Sequence, residues 1–565
     1  GPENPRAGQL LQSRWPDAGR WPKPVGGLYA SAADRSTLRN TISQYIHLAD
    51  GGEWIESSQY NLNTLKLLLS DAEMVRTAAE KDPFPELKPL LPKLALEQIY
   101  ELTPDLRDSY QWGDQEHPHD LRLLKRMPCL QILAGLTQGD PAGPYIQELV
   151  LELSAQHGYH GARSAEPMEV TGLLLFNPFA PHADWRAVLP PSLYAPGMGI
   201  LLVHNGWQPT DSLFGAQMST HPQVDHEVQY FGDFRLYRHG EWVIDHPLGY
   251  GALAVSGEAV NTVLLGGLSS MQEVREPIAQ ETGQHGEYAY IAGTTRGQPY
   301  ARTNQPKSNP RQIPAPFVHE WTRSLVYLPS PDKQSDTVVV FDRVNAQDPK
   351  QVAGYHFYRP PDRKRIESAP ALKQWLIHSP VAPNVSAGGL NWRTPGNQTV
   401  EVRTLLPVDQ QRQVYNEADL WGKSHSIPLK WRRFQTRITP AHQATWDTFL
   451  NVIQVSDRPG AFQAQLVESK GKEAEGTFIQ RPQLDDVVVL FGARPQARLL
   501  QRGYEATWTG KASQTLVHLF DLDPARSWKV TVDGDTATPL TVSSQGVAHV
   551  IIHGSGNHRL ALSAR

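Results

Sequence analysis

A single cysteine in 565 residues excludes an internal disulfide framework. That residue, Cys129, lies in "KRMPCLQILAGL", a helical apolar face. It reads as a buried structural thiol, because a nucleophile needs a partner that the local sequence does not show. Neither sign of charge is in large excess: 53 Lys and Arg stand against 58 Asp and Glu, a net of −5. Such a balance gives no support for nucleic-acid binding, and an anionic ligand would have to meet a local cluster of cations. No apolar run is long enough to span a bilayer. Also missing are GxxxxGK[ST], a GxGxxG after a strand, HExxH and GxSxG, so P-loop NTPase, dehydrogenase, zincin and α/β-hydrolase readings lose their main support. No signal peptide is seen, and Gly1-Pro2 resembles the scar of a cleaved tag, so the natural start is not visible.

What is plentiful is proline (46) and tryptophan (15). The prolines imply many loops, and tryptophans exposed in a cleft suit the apolar faces of sugar rings. The length calls for two to four domains. The first 160 residues carry apolar positions at helical spacing, as in "NLNTLKLLLSDAEMVRTAAE" with Leu62, Leu65, Leu68, Leu69 and Met74. Gly, Pro and Asp punctuate the links ("KDPFPE", "QGDPAGP"), so the spacing predicts antiparallel helical hairpins, about five to seven helices in all. Residues 161–197 are proline-rich and aromatic and read as a linker. From 198 the period switches to two, in runs such as "FRLYRHGEWVIDH", "DTVVVFDRV" and "QTVEVRTLLP". A further boundary near 455 precedes a smaller set, including "DVVVLFG" and "WKVTVDG". Helices at 1–160, a large β region at 198–455 and a small one at 456–565 predict an α+β multidomain protein, because the elements are segregated rather than alternating.

Two stretches bear chemistry. In "LADGGEWIESSQYN", residues 48–61, "DGG" ends one helix and "NLNTLKLLL" opens the next. Glu53, Trp54, Glu56 and Tyr60 therefore lie on a loop at the mouth of the helical array. It is either a solvated connection capped by Ser57 or Ser58, or a loop presenting Tyr60 to a cleft. In "STHPQVDHEVQYFGDFRLYRHGEWVIDHPLGYG", residues 219–251, His226 sits on the entry loop of an alternating strand. His221, Asp225 and His226 form a cluster, but their spacing matches no strong zinc signature.

Taken together, these stretches resemble the heparinase II/III-like superfamily of polysaccharide lyases, which includes heparinases and oligoalginate lyases. "DGGEWIESSQY" resembles that family's DGxxxExSxxY loop and places the catalytic tyrosine on Tyr60. The family pattern HxHxDxxxFxLYxxGxWLxxDxGY, aligned on Phe234 and "LYRHGEW", places the catalytic histidine on His226. "WTRSLVYLP" with "VVVFDRV" at 321–344 and "LIHSPVAPNV" at 376–385 are further matches. The resemblance spans most of the chain and implies an incomplete (α/α) toroid, a large antiparallel β-sandwich and a smaller C-terminal β domain. It also implies a secreted or periplasmic location. The sequence departs from the family in two ways. The second family histidine, often a zinc ligand, falls on Val228, and the family's "HNT" stands as Val260-Asn261-Thr262, leaving only Asp245. One carboxylate does not hold zinc tightly, so no metal and no other cofactor is expected. The family's toroid also starts far upstream of its tyrosine loop, whereas 59 residues precede Tyr60 and no "NH" pair is seen there. Either a front segment of the toroid lies outside this chain, or it is a separate chain, or another residue does its work.

The implied reaction is β-elimination from a 4-linked uronic acid. It needs a neutraliser for the carboxylate, a base at C5 and an acid at the leaving O4. Tyr60 and His226 would supply the acid and base from the two sides of the domain cleft, with His221 shaping the loop. Glu56, Trp112, His204, Arg238 and Tyr250 are candidate substrate contacts, and His117 and His119 lie near Trp112. The partner is then an anionic polysaccharide or oligosaccharide, with no nucleic acid and no membrane. Two other functions compete: a glycoside hydrolase on a similar toroid, drawing a carboxylate pair from Asp50, Glu53 and Glu56, and a carbohydrate-binding protein that has lost activity.

Overall fold

The computed structural model describes residues 45–79, 85–115, 122–157, 174–218, 231–251, 256–267, 270–273, 277–300, 316–347, 370–422, 426–457, 462–481, 483–493 and 499–565, together with 82, 172, 253 and 254. Contacts divide the chain into two compact units, each assembled from separate segments. One holds the described residues within 1–240, 247–259 and 423–432; the other holds those within 241–246, 260–422 and 433–565.

In the first unit the helical spacing is realised as α1 (Ser58–Ala79), α2 (Leu91–Tyr100), α3 (Arg122–Leu136) and α4 (Gly143–His157). Helix α3 packs on α1, α2 and α4. The shared core takes Leu62, Leu65, Leu68 and Leu69 from α1, as their spacing predicts, with Leu94, Ile99, Leu130, Leu133, Ile146 and Leu149. Met74, on the same periodic list, is 54% exposed, because the buried stripe runs on through Ala72 and Val75 and Met74 lies off it. Cys129 is fully buried in this core, and burial pushes its thiol up to about 12. Four strands of the unit, β1 (Ser192–Ala195), β2 (Ile200–His204), β3 (Leu213–Gln217) and β4 (Asp233–Arg238), pair antiparallel in chain order. Helix α2 touches β1 and β2. Strand β4 is tied to the turn after α2, where Tyr237 donates its hydroxyl to Asp105 Oδ2 at 2.8 Å and Arg235 Nη1 donates to the Gln111 carbonyl at 2.9 Å.

The second unit is all sheet apart from short helical turns among its described residues. The hairpin Phe317–Pro329 with Ser335–Gln347 lies near the middle of a nine-stranded sheet, flanked by Trp446–Ser456 and Ala289–Tyr300. A four-stranded sheet runs Gln410–Asn416, Phe434–Pro440, Lys373–Ser379 and Val263–Leu265. "DVVVLFG" shows why a strand can be apolar without alternation. Val487, Val489 and Phe491 pack with Phe341 and Leu450 of the nine-stranded sheet. Val488 and Leu490 point the other way, into a core with Trp508, Trp528 and Leu560. Strand Asp486–Gly492 is therefore buried on both faces, and it pairs parallel with Gln514–Leu519, the setting in which continuous apolar runs occur. Strands are found at every quoted β run in the described residues.

Candidate active site

The loop ahead of α1 is shaped by residues that accept unusual backbone angles. Gly51 and Gly52 have φ of +93° and +107°. A Cβ on Gly52 would lie 2.2 Å from the Lys93 carbonyl oxygen, and one on Gly51 would lie 2.3 Å from Ala195 Cα. Only glycine lets the chain pass this close to both α2 and β1. Ser57, with φ of +88°, holds a strained conformation for a side-chain-bearing residue, of the kind that persists where surroundings over-determine it. Those surroundings are visible. Ser57 Oγ donates to the Asp114 carbonyl at 3.3 Å, and Ser58 Oγ accepts from Trp112 N at 2.9 Å. The two serines expected to cap the helix instead fasten its start to the 112–114 segment.

Below the loop, Glu53 Oε1 accepts from Asn61 Nδ2 at 2.6 Å and from Trp112 Nε1 at 2.9 Å. Asn61 Oδ1 in turn accepts from Glu56 N at 3.0 Å. Tyr60 thus stands on the first turn of α1 between residues fixed from beneath, and its side chain is half-buried. Its ring meets Tyr250, with centroids 6.4 Å apart and planes at 41°. Tyr250, 43% exposed, is held by its neighbours: Gly251 N donates to Asp114 Oδ1 at 2.9 Å, and Gln115 N donates to the Gly249 carbonyl at 2.6 Å. The 110–115 segment therefore anchors both tyrosines. Glu56 lies beside them, half-buried, its carboxylate accepting from the Thr64 hydroxyl. The site is a pair of accessible phenols on a rigid base, suited to hydrogen bonding and proton transfer at a polar ligand.

Of the residues expected at the substrate, Tyr60, Tyr250 and Glu56 come together here. Trp112, His204 and Arg238 have no exposed surface. The indole of Trp112 spends its N–H on Glu53. His204 bonds the Tyr100 carbonyl at 2.9 Å and stacks on Trp207 at 4.1 Å, and burial lowers it to about 4, so it is neutral at pH 7. A side chain with no exposed surface offers no face to a sugar, and these three are internal groups. His117, His119, His221, Asp225, His226 and Val228 lie outside the described residues.

Asp245 and Val260, two of the positions where the resemblance puts zinc ligands, lie in the second unit. Arg433 Nη2 lies 3.3 Å from Asp245 Oδ2, so a guanidinium already balances that carboxylate. Val260, fully buried, has no ligand atom in its side chain. These residues do not fit a zinc ion. Asn261, next to Val260, is a bracket: its carbonyl accepts from Arg323 Nη1 and its Oδ1 accepts from His378 N, both at 2.8 Å. His378, itself buried, binds Glu417 Oε1 at 2.6 Å.

Sequence reading missed the partners of Glu53. Glu97 and Glu101, at the end of α2, and Arg126, on α3, surround it, and burial, first of all, pushes Glu53 up to about 8. The only trace in the sequence is the presence of two glutamates and an arginine inside otherwise apolar helical stripes.

Comparison with solved structures fixes the fold. Heparan sulfate lyase HepC from Pedobacter heparinus matches with a TM-score of 0.53 at 13% identity, over 81% of this chain and 62% of that one. A heparinase III structure matches with a TM-score of 0.51 at 11% identity, over 80% and 62%. A second heparinase III structure gives 0.51 at 12% identity, over 80% and 61%. The chain therefore has a heparinase-like polysaccharide lyase fold, and it spans about three fifths of the length of these structures. No family model matches the sequence, and no curated protein matches it.

Proposed function

We propose that this chain is a polysaccharide lyase that cleaves a uronic-acid-containing polymer by β-elimination, with Tyr60 and His226 as its acid and base. The observation that carries the reading is the Tyr60–Tyr250 pair, whose two stretches are both tied to the 110–115 segment, in a chain with this fold. In the reaction a base takes the C5 proton, the electron pair forms the C4–C5 double bond, and the C4–O4 bond breaks. The leaving O4 takes a proton from the acid. Products are an unsaturated uronate and a free hydroxyl on the departing sugar. In this reading Tyr60 gives or takes a proton at O4 or C5. The part of His226 rests on the sequence motif.

The toroid is part of the same proposal: α1–α4 are read as one portion of an (α/α) toroid, as in the resemblance. A secreted or periplasmic location is likewise proposed. Among the described residues no helix is long and apolar enough to cross a membrane. No metal takes part in the proposed chemistry, in keeping with Arg433 on Asp245. The hydrolase reading is weakened because Glu53 is buried, Asp50 is paired with Lys93, and Glu56 is bonded to Thr64. No two of these carboxylates stand ready to flank a glycosidic bond.

The test is ultraviolet absorbance of the conjugated product on a panel of uronic-acid polysaccharides. Wild type is expected to raise the signal, and Tyr60→Phe and His226→Ala to lower the rate by about 10²–10⁴-fold each, the usual worth of a positioned acid or base. New reducing ends with no absorbance would establish a hydrolase. Tight binding with neither signal would establish an inactive carbohydrate binder.

A further inference from the structure

Three carboxyl groups and one guanidinium meet inside the helical unit. Glu53, Glu97 and Glu101 are 1%, 1% and 2% exposed, and Arg126 has no exposed surface. One oxygen from each carboxyl lies within 4.8 Å of the others. Arg126 Nη2 pairs with Glu101 Oε2 at 2.6 Å, which cancels one charge. If the remaining two were ionised, two negative charges would sit in a dry core, an arrangement that a protein neutralises rather than tolerates.

The hydrogen bonds show how. Glu53 spends Oε1 on Asn61 and Trp112, and Glu97 spends Oε2 on Gln98 Nε2 at 2.6 Å. The other oxygen of each, Glu53 Oε2 and Glu97 Oε1, has no donor, although the two carboxyls are hydrogen-bond neighbours. Two neighbouring buried carboxylates repel; one proton shared between the groups relieves both. We propose that Glu53 and Glu97 share a single proton, and that this pair is the positioning element for the turn bearing Tyr60. The second half rests on the lyase reading. Through Asn61 and Trp112, a single oxygen of Glu53 supports both the residue after Tyr60 and the segment that anchors Tyr250.

The groups that face the pair fit one proton. From α2 comes Glu101, already matched to Arg126 of α3. Tyr110 stands between the cluster and Asp233 and Arg235 of β4, and burial holds its phenol well above its usual range. Lys66 of α1 and Arg126 both act on the buried thiol of Cys129. With one proton bound, the pair keeps one negative charge, solvated by the donors of Asn61, Trp112 and Gln98.

Desolvation holds Glu53 at about 8 against an ordinary 4.5, and raises Glu97 as well. A raised carboxyl keeps its proton in the folded chain where the unfolded chain has released it. Stability is therefore full below the ordinary value and falls as pH rises toward 8, by tenfold in the folding constant per pH unit for one proton. The experiment is denaturant unfolding of the full chain from about pH 5 to about pH 9, on wild type, Glu53→Gln and Glu97→Gln. A glutamine keeps the acceptor and donates permanently to its partner, so each variant is expected to lose that one-proton slope. Where one variant fails to fold, the other makes the same test. An unchanged slope in both overturns the shared proton. So does a rise in stability with added Mg²⁺ or Ca²⁺ that a chelator reverses, since the charge would then be held by a metal. On an active substrate, Glu53→Gln should move the alkaline limb of kcat upward with little change in KM. A flattened stability slope with an unmoved limb overturns the positioning role alone. A wild type inactive on every polymer refutes the lyase reading while the stability comparison still decides the proton.

Discussion

Asp342 places both carboxylate oxygens on Arg323, accepting from Nε at 2.7 Å and Nη2 at 2.8 Å, and neither side chain has any exposed surface. Trp321 Nε1 adds a third donor at 2.9 Å. At the residue scale the worth of such a pair lies less in its attraction than in the cost of breaking it. Asp342→Asn should destabilise the chain by about 3–5 kcal/mol, because it strands the guanidinium in the core. Replacing both members together, by Arg323→Met and Asp342→Leu, should cost much less than the single change. A double-mutant cycle by denaturant unfolding checks this, and a double variant as unstable as the single one would refute it. The Tyr60, Glu53 and Glu97 variants test the first unit at the same scale.

The loop between Asp50 and α1 is the element on which the candidate site depends. Its two glycines differ from others with positive φ in what surrounds them. Gly139 also has a φ of +86°, but nothing lies within 4 Å of the position its Cβ would take. Gly139→Ala should therefore cost only the left-handed backbone term, about 1–2 kcal/mol. Gly52→Ala carries that cost plus a collision with the Lys93 carbonyl and Glu97 Cβ, and should be clearly more destabilising. Paired thermal melts of the two variants measure the difference. Equal losses would mean that the loop yields and that the close approach is not required.

At the scale of the whole molecule, the lone cysteine is a built-in reporter. Cys129 is buried against α1 and α4, and desolvation keeps its thiol protonated across the physiological range. The native chain should resist a thiol reagent at neutral pH, whereas the denatured chain should react at one site per chain. The rate of labelling under native conditions then follows opening of the helical unit. Rapid labelling of folded protein would show that the core around α3 opens readily. The net charge of −5 acts at this scale too: it offers an anionic polymer no general attraction, so capture depends on local groups.

Much of this was written in the local pattern. Hydrophobic period is set by residues a few positions apart, so the helices α1–α4, the later strands and the order in which they follow were legible in the sequence. So was the glycine loop ahead of Tyr60, although the helix starts at Ser58 rather than at the expected Asn61 and takes Tyr60 into its first turn. What only the tertiary structure decided is which polar and aromatic groups lie inside. Trp112, His204 and Arg238 look like ligands for a sugar until packing encloses them. The serines beside Tyr60 look like caps until Trp112 and Asp114 arrive from more than fifty residues away. Glu53 is an ordinary glutamate in the sequence, and becomes a weak acid only because α2 brings Glu97 and Glu101 against it and excludes water. Burial and charge pairing are properties of what the chain folds against, and no window of neighbouring residues contains them.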